Sequence, residues 1–183
     1  MKITETGFKG LVVVSPKVFD DSRGYFFESY NKRAFDESGL EIDFVQDNQS
    51  SSSFGVLRGL HFQKPPHAQT KLVRVLSGAI QDVVVDIRRD QPTFGKYFSI
   101  ELSAENKKQL LVPPGFAHGF AVLTPRAEVL YKCDSFYQPS AEGGIRHDDS
   151  ALAIPWQIEP SKRIVSQKDL MLPEFASSFT FQN

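Results

Sequence analysis

The chain has 183 residues, of which 40% are hydrophobic and 23% charged, and its net charge is -1. This composition is typical of a globular protein, and the length predicts one domain over residues 1–183. Because 21 Lys and Arg residues balance 22 Asp and Glu residues, a dedicated nucleic-acid binder is not expected. Aliphatic runs such as Leu11–Val14 are far too short for a membrane helix.

Cys133 is the only cysteine of the sequence. A single thiol excludes an intrachain disulfide and any zinc site built from several thiolates. The first residues contain no apolar segment of the kind found in signal peptides. We therefore expect a cytoplasmic protein that does not associate with membranes.

Short segments rich in Val, Ile and Phe, separated by Pro and Gly, predict a mainly β chain. In chain order the predicted strands are Gly10–Ser15, Tyr25–Tyr30, Lys71–Leu76, Ile80–Arg88, Tyr97–Ser103, Gln109–Val112, His118–Leu123 and Glu128–Cys133. A helix is predicted over Lys32–Ser38, with Asn31 as its N-cap and Gly39 after its end, and a second short helix after Ser166. Short strands at this spacing are typical of an antiparallel sandwich or barrel.

The strand that begins at Lys71 carries an unusual charge. Lys71 shares one face with Val73 and Val75, since side chains alternate along a strand. If the valines face the interior, Lys71 points inward and must meet a ligand, an anion or water. The alternative is that the face is misassigned and Lys71 lies on the surface.

Two of the four histidines, His61 and His118, lie inside segments that otherwise indicate buried strands, and each is near a glycine. A single histidine on an apolar strand is more often a hydrogen-bonded core residue, but two such strands favour a pocket. Barrels of this type that bind metal usually carry His-x-His, and here Gln63 occupies the second position. Two good ligands are too few, so we expect no catalytic metal.

The sequence contains no nucleophile elbow, no P-loop and no dinucleotide-binding glycine motif. General acid–base chemistry remains, and its candidate groups are His61 as base, Tyr131 as acid, Asp169 to orient His61, and Lys71, Arg58 and His118 to stabilise negative charge. Two of these have a purely structural alternative. Tyr131 can simply pack, and Asp169 can belong only to the first turn of a helix capped by Ser166.

From Gly10 to Pro173 the chain resembles the dTDP-4-dehydrorhamnose 3,5-epimerase family, metal-free members of the cupin superfamily. Several separated motifs in one order carry the resemblance: Asp21–Glu28 (DSRGYFFE), Gln46–Asn48 (QDN), Val56–Gln63 (VLRGLHFQ), Gln69–Val73 (QTKLV), Asp82–Arg88 (DVVVDIR), Pro113–Phe120 and Ser166–Asp169 (SQKD). The resemblance implies an antiparallel jelly-roll barrel, a homodimer and no cofactor. It also implies epimerisation of dTDP-4-dehydro-6-deoxyglucose at C3 and C5, in deoxysugar supply for cell-surface polysaccharide.

The resemblance also implies roles for individual residues. It makes His61 the base, Tyr131 the acid on the opposite face, Asp169 the partner of His61 and Lys71 the group that stabilises the enolate. Further substrate-binding positions are implied at Arg23, Glu28, Gln46, Asn48, Arg58, His118, Tyr137, Glu142 and Lys168. Of these, Arg23, Glu28, Gln46 and Asn48 match nucleotide contacts, some contributed by the partner chain.

The chemistry of the implied substrate agrees with this set of residues. Both C3 and C5 lie next to the C4 ketone, so one base and one acid on the opposite face can serve both centres if cations stabilise the enolate. The sequence departs from the family pattern at His147, where Trp is more common, and in detail over Ala153–Gln157. Both departures predict changes in local packing.

Three other functions stay open from the sequence. A relative of the same fold can epimerise only C3 or C5, or can move the ketone between C3 and C4. A rival from another class is a non-catalytic module that binds sugar nucleotides. Such a module has no need of His61, Tyr131 and Asp169 together.

Overall fold

The structure is a computed structural model that describes residues 1–182. Its strands are β1 (Lys2–Glu5), β2 (Val12–Ser15), β3 (Phe19–Asp21), β4 (Gly24–Phe26), β5 (Gln46–Ser53), β6 (Val56–Gln63), β7 (Lys71–Ser77), β8 (Ala79–Asp86), β9 (Tyr97–Ser103), β10 (Gln109–Val112), β11 (Phe116–Val122), β12 (Arg126–Cys133), β13 (Glu142–Gly144) and β14 (Ile164–Val165). Its helices are α1 (Lys32–Glu37), α2 (Gln167–Leu170) and three 3₁₀ turns at Pro139–Ala141, Pro160–Lys162 and Phe175–Ser177.

Two large sheets form the body of the molecule. The first has the strand order β1-β2-β10-β7-β12-β5, and the second has the order β13-β6-β11-β8-β9. All of these pairings are antiparallel, and only β14 adds to β6 in parallel. β3 and β4 form a separate hairpin. This is the mainly β, jelly-roll architecture that the sequence predicts.

The core lies between the sheets because the inward faces of their central strands are apolar. Val73 and Val75 of β7 and Phe116 and Phe120 of β11 belong to this cluster. The opposite face of the second sheet is covered by C-terminal segments, in which Trp156 is buried. The outer face of the first sheet packs on α1 through Phe35. Each sheet is therefore covered on both faces, at least in part, and this explains the long apolar runs of β8 and β11.

The predicted strands are confirmed with shifted ends, and two of them, Tyr97–Ser103 and Gln109–Val112, agree at both ends. The prediction over Tyr25–Tyr30 is too long, because the strand ends at Phe26. Strand β5 was not predicted, because Gln, Asp, Asn and Ser disfavour strands. It forms because all eight of its residues pair with β12.

Both predicted helices are present. The side chain of Asn31 accepts a hydrogen bond from the Ala34 N–H at the start of α1, which confirms it as the N-cap. Ser166 caps α2 in the same way by accepting from the Asp169 N–H at 3.1 Å. This cap fixes the position of Asp169 in the first turn of α2.

Candidate active site

A cavity of about 630 Å³ opens between the two sheets at one end of the barrel. Its walls come from β5, β7 and β12 of the first sheet and from β6 and β11 of the second, with β14 and α2 at its border. A smaller cavity of about 300 Å³ adjoins it, and the two share Asn48, His61, Lys71 and Tyr131. The four shared side chains therefore lie where the two lobes meet.

A glycine determines which β6 side chains reach the cavity. Arg58 and His61 are three residues apart, so regular alternation would place them on opposite faces. Gly59 lies between them with φ +114°, and the pairing of β6 with β11 shifts register here. This irregularity brings both Arg58 and His61 to the cavity. A Cβ on Gly59 would lie 2.6 Å from the Gly119 Cα, so the position requires glycine.

His61 and Asp169 form a hydrogen-bonded pair. The Asp169 Oδ1 lies 2.7 Å from the His61 Nε2, and its Oδ2 accepts from the Gly59 N–H at 3.2 Å. Burial alone would raise the pKa of Asp169, but the hydrogen bonds from His61, Gly59 and Ser166 lower it. Asp169 is therefore a carboxylate, which can only accept, so in the neutral ring of His61 the Nε2 carries the proton and Nδ1 has the lone pair.

Tyr131 and Lys71 lie on neighbouring strands, with the Lys71 Nζ 5.8 Å from the centre of the Tyr131 ring. Lys71 lines the cavity with Val73 and Val75 behind it in the core, so of the two orientations that the alternation left open the inward one is correct. Burial lowers the pKa of Lys71, opposed by Cys133, Asp82 and Glu142, and burial raises the pKa of Tyr131. This wall of the cavity therefore presents the Tyr131 phenol O–H beside the Lys71 amine.

A second histidine–carboxylate pair lies beside the first. His118 is the cross-strand partner of His61, and its Nε2 contacts both oxygens of Asp82 at 3.0 and 2.9 Å. Asp82 is fully buried, and its charge also favours the protonated form of Lys71. No role for Asp82 was predicted from the sequence. Its position in the family motif over Asp82–Arg88 was the only signal for it.

Arg58 extends along the wall of the larger lobe. Its Nε and Nη2 donate to the Ser52 Oγ at 3.2 and 3.1 Å. The inward face of β5 is polar throughout, and Asn48 and Ser50 line the same lobe as Arg58. This wall offers a guanidinium, a hydroxyl and an amide to a polar, negatively charged ligand.

The rim of the cavity carries the outer residues predicted from the sequence. Glu142 accepts from the Tyr137 hydroxyl at 2.8 Å and from the Lys168 Nζ at 2.6 Å. Gln46 accepts from the Tyr137 N–H at 3.1 Å and donates to Asn48 at 3.0 Å. The structure thus brings Gln46, Asn48, Tyr137, Glu142 and Lys168 together around the two lobes.

Arg23 and Glu28 do not reach the cavity of their own chain. Arg23 lies in the tight turn between β3 and β4, exposed and paired with Asp21 at 2.6 Å. Glu28 accepts from the Asn31 side chain near the start of α1. The remaining residues predicted for the site line one or both lobes. Within residues 1–182, no three His, Cys, Asp or Glu side chains are grouped to hold a metal ion.

A jelly-roll barrel whose interior carries a His–Asp pair, a tyrosine and a lysine around one cavity defines an acid–base enzyme for a small molecule. Residues 5–177 match the family model described as dTDP-4-dehydrorhamnose 3,5-epimerase. The chain belongs to the dTDP-4-dehydrorhamnose 3,5-epimerase family, and it is an isomerase of the epimerase type.

Individual relatives agree with the family match. The dTDP-4-dehydrorhamnose 3,5-epimerase of Salmonella typhimurium is 49% identical over 94% of both chains. The structure of the Elizabethkingia anophelis enzyme is similar with a TM-score of 0.92 and 52% identity, over 96% of this chain and 97% of that one. The Legionella pneumophila 3,5-epimerase, in complex with dTDP-4-keto-L-rhamnose, has a TM-score of 0.90 and 44% identity, over 94% and 92% of the two chains.

A more distant relative has a narrower activity. A 3'-monoepimerase from Streptomyces bikiniensis, in complex with dTDP-quinovose, has a TM-score of 0.86 and 31% identity, over 93% of this chain and 86% of its own. The fold alone therefore does not fix how many centres are epimerised. No helix within residues 1–182 has the length and apolar character needed to cross a bilayer.

Proposed function

We propose that this protein converts dTDP-4-dehydro-6-deoxyglucose to dTDP-4-dehydro-L-rhamnose, the epimerisation step of dTDP-L-rhamnose synthesis. The observation that carries the proposal is the junction of the two lobes, where the His61–Asp169 pair, Tyr131 and Lys71 surround one space. The family membership supports the same reaction.

In the proposed reaction, His61 Nδ1 removes the proton from the carbon next to the C4 ketone. The electron pair of the C–H bond forms a double bond to C4, and the carbonyl electron pair moves onto the oxygen, which gives an enolate. Lys71 stabilises the enolate oxygen, with His118 close by. Tyr131 then donates its proton to the carbon from the opposite face, which inverts the centre. The enzyme is reset when the imidazolium loses its proton and the phenolate regains one from solvent.

The remaining residues would bind the nucleotide and sugar. Arg58 and Lys168 supply positive charge for the pyrophosphate, and Tyr137 offers an aromatic face to the thymine ring. Gln46, Asn48 and Glu142 supply hydrogen-bonding groups between them. We propose no metal or organic cofactor, since the ketone of the substrate already activates both neighbouring C–H bonds.

The proposal is tested by incubating the protein with dTDP-4-dehydro-6-deoxyglucose in D₂O and following C3 and C5 by NMR. Deuterium at both carbons, with an L-sugar product that a reductase can trap, is the expected result. Deuterium at only one carbon would make the protein a monoepimerase. The absence of deuterium would overturn the proposal in favour of another substrate or a binding module.

His61→Ala separates the enzyme from a non-catalytic sugar-nucleotide-binding module. We expect turnover to disappear while dTDP affinity changes only a few-fold, because His61 lies at the reacting carbon and not at the nucleotide. Calorimetry with dTDP measures the affinity. Turnover near the parent rate would refute the assignment of His61 as the base.

We also propose that the protein is a homodimer in which the partner subunit supplies Arg23 and Glu28 to the nucleotide. Three side chains of the β3–β4 hairpin support this, since Phe19, Tyr25 and Phe26 are all more than half exposed. Sedimentation should give twice the chain mass. A monomer that turns over substrate would contradict the proposal.

We propose further that the whole chain is one catalytic domain that works in the cytoplasm, where the free thiol of Cys133 stays reduced. Cell fractionation tests the location, and limited proteolysis tests the domain. Recovery of the protein outside the cytoplasm, or of an active shorter fragment, would contradict these two statements respectively.

A further inference from the structure

Gln63 occupies the position at which metal-binding barrels carry a second histidine, and the proposed reaction gives it no part. Its side chain is 5% exposed at the end of β6. Its Nε2 donates to the carbonyls of His67 at 2.8 Å and Phe136 at 3.3 Å, and its Oε1 accepts from the Gln138 N–H at 2.7 Å. Both donor hydrogens and the oxygen of this amide are therefore occupied by backbone groups.

Two of the three bonds attach to the residues on either side of Tyr137. Gln63 thus holds the backbone of Phe136 and Gln138, and the Tyr137 ring projects between them at the rim, half-exposed. Gln63 and Tyr137 line the same smaller lobe. A buried amide with all its polar groups in use fixes the backbone that it contacts.

We propose that Gln63 is a positioning residue that pre-organises Tyr137 and thereby sets the affinity for the nucleotide end of the substrate. This inference rests on the proposed function, in which Tyr137 is the platform for the thymine ring. Gln63 acts through Tyr137, because its own polar atoms are already paired with protein. Holding a binding group in place before the ligand arrives reduces the ordering cost of binding.

The chain contains a matched control. Gln81 on β8 is 2% exposed, donates through Nε2 to Ser99 and to the Pro155 carbonyl, and accepts from the Gln157 N–H. It holds the 155–157 segment much as Gln63 holds the 136–138 segment, but it lines neither lobe. Loss of either amide removes the side-chain partner of a backbone N–H and of at least one backbone carbonyl, so the two losses of stability should be similar.

The test compares Gln63→Ala with Gln81→Ala in the full chain, by steady-state kinetics and by calorimetric titration with dTDP. For Gln63→Ala we expect KM and the dissociation constant of dTDP to rise about tenfold while kcat stays within about threefold. For Gln81→Ala we expect KM and the dissociation constant of dTDP to stay within about twofold of the parent values, although Tm falls by a similar amount. A purely structural role for Gln63 would give the two variants the same kinetics and would overturn the proposal.

A double-mutant cycle tests whether Gln63 acts through Tyr137. In a Tyr137→Ala background, Gln63→Ala should change dTDP affinity by less than about twofold, because the ring that it positions is gone. A persistent tenfold loss would overturn the proposal. If Gln63→Ala does not fold, Gln63→Glu replaces it, since this side chain keeps the acceptor for Gln138 and loses both donors. Because dTDP binding requires no turnover, failure of the proposed epimerisation would be recognised separately.

Discussion

At the scale of single residues, the His61–Asp169 pair determines which nitrogen acts as the base. The carboxylate accepts from Nε2 and is itself held by the Gly59 N–H and by the cap at Ser166. These hydrogen bonds lower the pKa of Asp169 against the effect of burial, so the Asp169 carboxylate keeps its negative charge. The lone pair of Nδ1 is therefore available to take a proton from carbon.

We expect Asp169→Asn to lower kcat by about 10²- to 10⁴-fold with little change in dTDP affinity. The amide can donate to Nε2, which favours the tautomer with its proton on Nδ1 and blocks the base. Rates of deuterium uptake at C3 and C5 measure the effect. Uptake at the parent rate would show that Asp169 has only a structural role in the first turn of α2.

Lys71 and Tyr131 determine how activity falls at alkaline pH. Burial lowers the pKa of Lys71 and raises that of Tyr131, and we assign the alkaline limb of the kcat profile to loss of the Lys71 proton. We expect Lys71→Met to lower kcat about 10²- to 10³-fold. Lys71→Arg should keep part of the activity and move the alkaline limb of the kcat profile to higher pH, since a guanidinium stays charged.

The matched comparison for this prediction is the pH profile of the parent enzyme. An alkaline limb at the same pH in Lys71→Arg would mean that another group, such as Tyr131, controls the loss. The pH dependence would then not support the role of Lys71 in stabilising the enolate oxygen.

At the scale of the elements, the irregularity at Gly59 connects β6, β11 and α2. It turns Arg58 and His61 to one face and frees a backbone N–H for Asp169. Gly119 on β11 faces it, and a Cβ there would lie 2.6 Å from the Arg58 carbonyl oxygen. Two glycines therefore allow the close approach that builds this wall of the site.

Gly59→Ala should destabilise the fold by about 3 kcal/mol or more and abolish activity, because a Cβ would lie 2.7 Å from the His118 carbonyl oxygen at a positive φ. Gly7→Ala is the control, since Gly7 has φ +85° but nothing within 4 Å of the added carbon. Its cost should be about 1–2 kcal/mol, from the positive φ alone. Urea unfolding measures both, and equal losses would contradict the role given to the close approach.

At the scale of the whole molecule, the two sheets form the body of the fold, and the segment between β13 and β14 carries a buried histidine. His147 is 6% exposed, and its Nδ1 has no hydrogen-bond partner within residues 1–182. Burial lowers its pKa below 6.5. Of the charges around it, Asp148 and Asp169 oppose this shift, and Arg163 and Arg146 add to it.

The pH dependence of stability follows from the sign of this shift. The unfolded chain takes up a proton at His147 near pH 6.5 and the folded chain only below that, so its contribution to stability falls as pH drops through this range. We expect His147→Phe to be more stable relative to the parent at pH 5 than at pH 7.5, because the variant has no group to protonate at this position. Urea unfolding at the two pH values measures the gain, and a constant difference would contradict the prediction.

The sequence by itself determined the mainly β class, most strand positions, both helix caps and the family, because alternation, capping residues and ordered motifs are local signals. It could not give β5, whose polar residues form a strand only through pairing with β12. Nor could it reveal the Gly59 irregularity, the Asp82–His118 pair or the contacts of Gln63. Each of these depends on which strands become neighbours, and tertiary structure alone decides this, because it brings together groups such as His61 and Asp169 that are 108 residues apart.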